Sequence, residues 1–232
     1  MSAAVTATLA VARLSAREVS RRRAVVVLVV ALPLWFYLVR HDLAGQSTRM
    51  LTIGIAWAVS TLTLFVVIGS RRVDPRLRLT GAPSSALVGG RLVAMTGAGV
   101  ALATAYWVLV VLDQDVARPW ALGPMMLLTA VVAAPFGAFV GALLPRELEG
   151  ALALFSVAAV QMLADPEGFV AKLLPFWSSR EIGTYAIDPV GADYLWRGLL
   201  HALLTWVICA GGTFALFAWR LRLARYPEPS PG

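Results

Sequence analysis

Few side chains in this 232-residue sequence are of the types that perform catalysis or bind metals. The single cysteine, Cys209, excludes an intrachain disulfide and a cysteine-based metal site. Two histidines, His41 and His201, are too few for a histidine-rich centre. The sequence also lacks the P-loop, zinc-protease and nucleophile-elbow motifs. We therefore expect a chain that is not an enzyme, binds no ATP and holds no metal.

The composition predicts the environment of the chain. Hydrophobic residues make up 59% of the sequence and charged residues only 14%, whereas a soluble domain has about 25% charged residues. Whole 20-residue stretches contain no charge at all, so a polar surface cannot form around them. These features predict an all-α integral membrane protein.

Six apolar stretches approach the roughly 20 residues that a helix needs to cross about 30 Å of hydrocarbon. Residues 1–23 precede them as a cytoplasmic entry segment, and residues 221–232 follow them as a cytoplasmic tail. We therefore predict six transmembrane helices within a membrane domain of residues 24–220. The predicted spans are residues 24–40, 51–70, 92–112, 121–144, 148–164 and 198–219.

The distribution of basic residues predicts the orientation in the membrane. With the N-terminus inside, the cytoplasmic segments hold 14 of the 20 lysine and arginine residues, and the external segments hold six. Cytoplasmic loops are enriched in Lys and Arg, so both termini are expected in the cytoplasm. The net charge of +7 then faces anionic lipid headgroups, and we do not expect a nucleic-acid partner.

The entry segment has the pattern of an amphipathic helix. On a helical wheel its apolar residues fall on one arc, and three arginines follow each other at i, i+4 spacing beside that arc. This pattern favours a helix lying in the cytoplasmic membrane interface, and the alternative is a solvated helix with basic flanks. The apolar arc consists of Val5, Leu9, Ala12, Ala16 and Val19, and the stripe consists of Arg13, Arg17 and Arg21.

The predicted cytoplasmic loop, residues 71–91, contains the signals of a short basic helix. Asp74 can cap that helix, Pro75 fits its first turn, and Gly81 can end it in a left-handed conformation. Pro83 can then start the next helix. Such a helix could dock on a partner, although a basic loop between two spans is often only a topology signal.

The predicted outer segment, residues 165–197, is apolar and interrupted by prolines. It indicates one or two short re-entrant helices that dip into the outer leaflet, or alternatively a collapsed loop with an aromatic belt. Four residues here and at the neighbouring span ends are candidates for a substrate path, although the polar ones also suit helix–helix hydrogen bonds. They are Gln161, Phe176, Trp177 and His201.

Small residues in two spans predict close helix packing. Gly137 and Gly141 form a G-x-x-x-G pair in the fourth span, and Gly97 and Ala101 form a looser pair in the third. Such pairs let two helix backbones approach closely, so we expect both pairs inside the bundle.

The chain resembles the permease subunit of ABC type-2 exporters. The resemblance covers its architecture and, at sequence level, the run RLRLTGAP at 76–83 followed by LVGGRL at 87–92. Members of that family often have a leucine- and arginine-rich run, a Gly-small pair, and then G-R-L at the start of the third span. An acidic residue often precedes the run, and Asp74-Pro75 takes its place here.

The resemblance implies that transport and ATP hydrolysis are carried out by different subunits. Two permeases, identical or related, pair with two copies of an ABC ATPase, which binds ATP and Mg²⁺, so this chain needs no cofactor. The basic loop is then the coupling helix that contacts the ATPase, and the entry helix touches it too. The implied coupling residues are Asp74, Arg76, Leu77, Arg78, Leu79, Thr80, Gly81 and Ala82.

The expected function is export of an amphiphilic cargo, such as a drug, a lipid or a peptide, across the plasma membrane of a bacterium. The mostly apolar spans favour such a cargo over an ion or a sugar. One alternative is an accessory or scaffold membrane protein. Another is an intramembrane lipid-modifying enzyme, for which the required cluster of Asp, His or Arg at one membrane depth is missing.

Overall fold

The computed structural model describes residues 3–165 and 167–221, and all regular secondary structure in them is α-helical. The predicted all-α class is therefore confirmed. Of the predicted tail, residues 221–232, only Leu221 lies within the described residues. In chain order, the helices of the described residues are α1 (Ala3–Arg21), α2 (Arg23–Val39), α3 (Ala44–Ser70), α4 (Asp74–Leu79), α5 (Ser84–Asp113), α6 (Pro119–Leu143), α7 (Glu147–Leu163), α8 (Phe169–Leu173), α9 (Trp177–Ile187) and α10 (Asp193–Arg220).

Four helices are long and apolar enough to cross a membrane, namely α3, α5, α6 and α10. Each has at least 25 residues, so at about 1.5 Å per residue each exceeds the hydrocarbon thickness of roughly 30 Å. The pair α1 and α2 is a fifth candidate, although it bends by 83° at Arg22. Four or five such helices fit a multi-pass membrane protein.

The predicted count of six spans is not confirmed, because α7 is short. It matches the predicted fifth span, residues 148–164, but contains 17 residues and begins with Glu147 and Glu149 in its first turn. At about 1.5 Å per residue it is roughly 26 Å long, which is less than the hydrocarbon thickness. A count of six spans therefore stays a prediction, and it depends on α7 and on α2, which also contains 17 residues.

Helices α3 and α6 form the centre of the bundle. Two thirds of the most apolar window of each helix is buried, against 28% for α5 and 22% for α10. A Cβ atom at Gly137 would lie 2.0 Å from the carbonyl oxygen of Ser60, and one at Gly141 would lie 3.2 Å from that of Leu64. The predicted packing role of this glycine pair is confirmed, because only glycine lets the two backbones approach so closely.

The second pair of small residues has no such role. Both Gly97 and Ala101 are exposed, and a Cβ atom at Gly97 would have no neighbour within 4 Å. The prediction that this pair packs inside the bundle is wrong. Most of the α5 surface is not covered by protein, so a small-residue pair can fall on its outward face without making a contact.

Helix α1 packs against α5. The contact is tight at Gly90, where a Cβ atom would lie 2.6 Å from both the carbonyl oxygen of Thr8 and the Cβ atom of Val11. Ala12 and Ser15 are buried on the same side of α1. The entry helix is thereby attached to the start of a long helix of the bundle.

The predicted apolar arc of α1 is only partly covered. Ala12 is buried and Val19 is half-buried, whereas Val5, Leu9 and Ala16 are exposed. The contact with α5 covers one side of the arc, because small side chains on that side allow the close approach. The other side of the arc is exposed.

The predicted outer segment, residues 165–197, contains the two short helices α8 and α9, and α10 already begins at Asp193. Helix α9 packs against α6 and α10. At its C-terminus, Arg118 donates hydrogen bonds to the carbonyl oxygens of Tyr185 and Asp188. Protein groups thus satisfy backbone atoms that the end of a helix leaves free. The depth of the segment in a membrane stays a prediction.

Candidate functional site

A buried ion pair fixes the base of the predicted coupling loop. Arg91 in α5 donates a hydrogen bond from Nη1 to Oδ2 of Asp74 at 3.1 Å, and its Nη2 contacts Oδ1. The two side chains are only 6% and 3% exposed. Ser70, the last residue of α3, donates to the same carboxylate at 3.3 Å. A two-point contact between Arg and a carboxylate fixes orientation as well as distance, so α4 is held to both α3 and α5.

Helix α4 forms as predicted, but Asp74 has a different role. Pro75 lies in its first turn, and Gly81 follows its end with a φ of +91°, the left-handed conformation that glycine favours. At the start of α4 no side chain makes a capping hydrogen bond. The capping prediction for Asp74 is therefore wrong, because the guanidinium of Arg91 is a stronger partner for the carboxylate than a backbone N–H.

The far end of α4 is closed by local hydrogen bonds and faces outward. Arg78 donates from Nη1 to the carbonyl oxygen of Ala82 at 2.9 Å, and Thr80 donates from Oγ1 to that of Leu77 at 2.9 Å. The side chain of Leu79 is 78% exposed, although it is apolar. Among the described residues, Leu79 and Arg76 therefore form an exposed apolar and basic surface. In the predicted coupling set, Arg76, Leu79, Thr80 and Gly81 are exposed, Leu77, Arg78 and Ala82 are half-buried, and Asp74 is buried.

A second arginine, Arg71, joins this hairpin to the end of α6. Its guanidinium donates hydrogen bonds to the carbonyl oxygens of Gly141, Leu144 and Pro145, the last from Nη1 at 3.0 Å. The last carbonyls of a helix lack intrahelical partners, and a cation there also interacts favourably with the helix dipole. Burial lowers the pKa of Arg71 below its usual value, and the nearby charge of Arg220 lowers it further.

The entry helix lies at the same end of the bundle as α4. Its tight contact with Gly90 is one residue away from Arg91, which holds Asp74. The predicted stripe of α1, Arg13, Arg17 and Arg21, is exposed. The structure therefore brings the two predicted partner-contacting elements together through the start of α5.

Two of the predicted substrate-path residues form a packing contact. The ring of His201 in α10 stacks edge-to-face on Trp177, with 5.2 Å between ring centroids. Its Nε2 lies 3.1 Å from the carbonyl oxygen of Lys172, and its Nδ1 lies 3.4 Å from Oγ1 of Thr205. These contacts join α10 to the α8–α9 region, as the helix–helix alternative predicts.

The other two predicted path residues, Gln161 and Phe176, line a small cavity of about 10 Å³. Phe176 is buried and contacts Phe136 edge-to-face at 5.6 Å between ring centroids. Gln161 also lines a second cavity of about 300 Å³, between α3, α6, α7 and α9. Within the described residues, its buried Oε1 atom has no hydrogen-bond partner.

Sequence reasoning assigned no role to several arginines that matter in the structure. Arg91 and Arg71 fix the hairpin, and Arg49 and Arg180 line the larger cavity. The sequence contained a signal for three of these four arginines. Arg91 begins an apolar run, where an unpaired charge would be costly, and Arg49 and Arg180 are among the few basic residues predicted outside.

Comparison with known proteins finds no family model that matches this sequence and no curated protein that matches it. Function is therefore inferred from the geometry of the α3–α4–α5 hairpin, the attached helix α1 and the opposite end of the bundle.

Proposed function

We propose that this chain is the transmembrane permease subunit of an ATP-driven ABC type-2 exporter that moves an amphiphilic cargo out of the cell. ATP and Mg²⁺ bind to a separate ATPase, of which two copies pair with two permeases, identical or related. The complex lies in the plasma membrane of a bacterium, and both termini of this chain lie in the cytoplasm. Drugs, lipids and peptides are the cargo classes that suit the apolar spans.

The observation that supports this proposal most is that the hairpin around α4 combines an exposed surface with a rigid base. Its outward surface presents Arg76 and Leu79, while its base is fixed by Asp74, Arg91 and Arg71. A partner that pushes on the exposed surface would therefore move α3, α5 and α6 together instead of bending a flexible loop. A coupling helix needs this combination of an accessible surface and a rigid base.

The exposed side of α1 supports an interfacial position for the entry helix. Val5, Leu9 and Ala16 are exposed next to the arginine stripe that includes Arg13 and Arg17. In a helix lying in the membrane interface, such apolar residues enter the acyl boundary and the arginines contact headgroups. The bend of 83° between α1 and α2 agrees with a helix that lies along the surface before the chain enters the membrane.

Energy enters the proposed complex through differential binding. A ligand shifts a conformational equilibrium only by the difference between its affinities for the two states. The ATPase pair would therefore bind the hairpins of the two permeases better in one conformation than in the other. This chain supplies the moving helices and the path, and the ATPase supplies the covalent chemistry.

Purification of the tagged chain from its native membrane tests the proposal. We expect a P-loop ATPase, identified by mass spectrometry, to co-purify in equal amount with the permease. The double variant Arg76→Glu/Leu79→Asp is expected to reduce the amount of ATPase recovered by at least tenfold. It reverses the charge at position 76 and places a new carboxylate at position 79, where the contact with the ATPase would bury it. Export of a fluorescent amphiphile from cells is expected to fall in parallel.

The matched control is Arg146→Glu, an exposed arginine at the same end of the bundle but in the loop between α6 and α7. It is expected to leave ATPase recovery within twofold of the wild type. If no ATPase co-purifies, or if the double variant recovers as much ATPase as the control does, the permease proposal fails. The accessory or scaffold role would then be the better hypothesis.

A further inference from the structure

The cavity of about 300 Å³ lies at the end of the bundle opposite to α4. It is located where α3 and α9 begin and α7 ends, and Met125 of α6 closes one side. This volume is at the lower limit of small-molecule pockets, which span roughly 300–1,000 Å³. The cavity therefore has room for a small group and the first part of an apolar chain.

Two arginines line this cavity, and neither is fully neutralised. Arg49 donates from Nη2 to Oδ2 of Asp188 at 3.0 Å, but its Nε atom is buried without a hydrogen-bond partner. The side chain of Arg180 makes no hydrogen bond and no ion pair with the part of the chain that the structure describes. A buried donor of a charged group is costly to leave unpaired, so the Nε atom of Arg49 lacks an acceptor.

The surroundings of Arg180 also favour an added negative charge. Burial and the nearby charge of Arg49 lower the pKa of Arg180, in that order. Three carboxylates, Glu181, Asp165 and Glu167, act in the opposite direction with smaller effects. An anion placed between the two arginines would relieve their repulsion and replace lost solvation.

Other groups around the cavity complete a site for such an anion. The terminal amide of Gln161 has no partner for its buried Oε1 atom and can present its NH₂ group after a half-turn of the amide. Ser179 and Arg180 lie in the first turn of α9, whose N-terminal end has a partial positive charge. Met125 and Met162 add flexible apolar surface that adapts to a chain.

We propose that this cavity binds the anionic headgroup of an amphiphile, a carboxylate or a phosphate, between Arg49 and Arg180. Gln161 donates a further hydrogen bond, and the apolar part of the ligand lies against the methionines. The interpretation of this ligand as cargo rests on the proposed permease function. Binding itself requires no ATPase, so it can be measured separately.

The test uses the full chain purified in a neutral maltoside detergent, with radiolabelled dodecyl phosphate as the probe. Equilibrium dialysis measures saturable binding, and dodecanol and inorganic phosphate serve as competitors. We expect Arg180→Gln to weaken binding at least tenfold and Arg180→Lys to weaken it less, because lysine keeps the charge but loses the two-point geometry. Arg40→Gln, which replaces an exposed arginine at the same end of the bundle, is expected to bind like the wild type.

Each outcome decides the proposal. Weak competition by dodecanol and by inorganic phosphate supports it, because both the charge and the chain are then required. If inorganic phosphate competes as strongly as unlabelled dodecyl phosphate, the site binds free anions, and the proposal that its ligand is an amphiphile is overturned. Absence of saturable binding, or equal binding by Arg180→Gln, overturns the site itself. If Arg180→Gln does not fold, Gln161→Leu replaces it and is expected to weaken binding at least threefold.

The two proposals fail separately. If Arg180→Gln loses probe binding but no ATPase co-purifies from the native membrane, the anionic site is supported and its role in export is contradicted. If an ATPase co-purifies but the chain does not bind the probe, the permease proposal is supported and the anionic site is contradicted.

Discussion

At the scale of single residues, the pair formed by Asp74 and Arg91 is the most informative contact. A buried ion pair adds little net stability compared with apolar residues of the same volume, since both charges lose their hydration. Its value is geometric, because each charge can be satisfied in only one arrangement of α4 against α5. We interpret the pair as a device that sets the position of the hairpin.

Asp74→Ala is expected to lower the free energy of unfolding by about 3 kcal/mol, because it leaves the charge of Arg91 buried and unpaired. Replacing both partners, with Asp74→Leu and Arg91→Met, is expected to restore most of that loss. Thermal unfolding of the purified variants measures both effects. Arg76→Ala is the exposed control, with an expected change of about 0.5 kcal/mol or less. Equal stability of Asp74→Ala and the wild type would contradict the buried pair.

The buried carboxyl of Glu181 predicts a pH dependence of stability. Burial raises its pKa above the usual value of 4.5, and the ion pair with Arg197 at 3.5 Å only partly opposes this rise. The folded chain then binds this proton more tightly than the unfolded chain does. The free energy of unfolding should therefore fall as the pH rises from about 4.5 through the higher pKa of the folded state.

Glu181→Gln is expected to make the free energy of unfolding decrease less with rising pH, because the amide does not titrate. Unfolding midpoints measured from acidic to neutral pH check the prediction. Glu149→Gln is the matched control, since Glu149 is also a glutamate in an ion pair but is 44% exposed and far from Glu181 in the sequence. It should keep the slope of the wild type, and an unchanged slope in Glu181→Gln would contradict the assignment.

At the scale of elements, α1 behaves as part of the bundle and not as a free amphipathic segment. Its contact with α5 depends on the absence of a side chain at Gly90. Because α5 also contains Arg91, a shift of α1 and a shift of α4 are transmitted through the same part of one helix. In the proposed complex, the two elements would therefore respond together to the ATPase.

Gly90→Ala is expected to displace α1, because the new Cβ atom would lie 2.6 Å from backbone and side-chain atoms of Thr8 and Val11. The adjacent Gly89→Ala is the control, since its Cβ atom would lie 3.7 Å from the nearest atom, an ordinary contact. Limited proteolysis with trypsin should cleave α1 several times faster in Gly90→Ala than in Gly89→Ala. Equal cleavage rates in the two variants would show that α1 does not need this contact.

At the scale of the whole molecule, the distribution of charge between the two ends of the bundle is the main feature. Among the described residues, the end with α1 and α4 contains most of the basic side chains, including both fixed arginines, Arg71 and Arg91. The opposite end contains Glu181 of α9 and the cavity with Arg49 and Arg180. The two ends of the bundle therefore differ in their charge.

Single-cysteine labelling tests the orientation and the number of spans. The only natural cysteine, Cys209, is buried, so Cys209→Ala gives a background without thiols. In intact cells, an impermeant maleimide should label Lys172→Cys, and it should label Leu79→Cys only after lysis. Arg146→Cys is expected to behave like Leu79→Cys, and Glu167→Cys like Lys172→Cys, if α7 crosses the membrane.

Labelling of Arg146→Cys and Glu167→Cys from the same side would reduce the count of spans, because α7 would not cross. Labelling of Leu79→Cys in intact cells would reverse the orientation and remove the basis for contact with a cytoplasmic ATPase.

Some features followed from the sequence because they depend on local chemistry. Runs of about 20 apolar residues predicted the helices, because a helix satisfies all the backbone hydrogen bonds of such a run within the run itself. Gly81 was expected in a left-handed conformation, and the structure shows it there. The close approach at Gly137 also followed, since two glycines four residues apart lie on one helix face.

The tertiary structure alone decided which side chains meet. Asp74 looked like a helix cap, because Arg91, 17 residues later, is not a neighbour in the sequence. Arg49 and Arg180 line the same cavity because of the way in which α3 and α9 pack. No local sequence pattern encodes that packing. Apolar periodicity shows that a helix has a buried side, but many faces of a membrane helix are equally apolar. Which face contacts protein is therefore decided by close packing, as the exposed pair of Gly97 and Ala101 demonstrates.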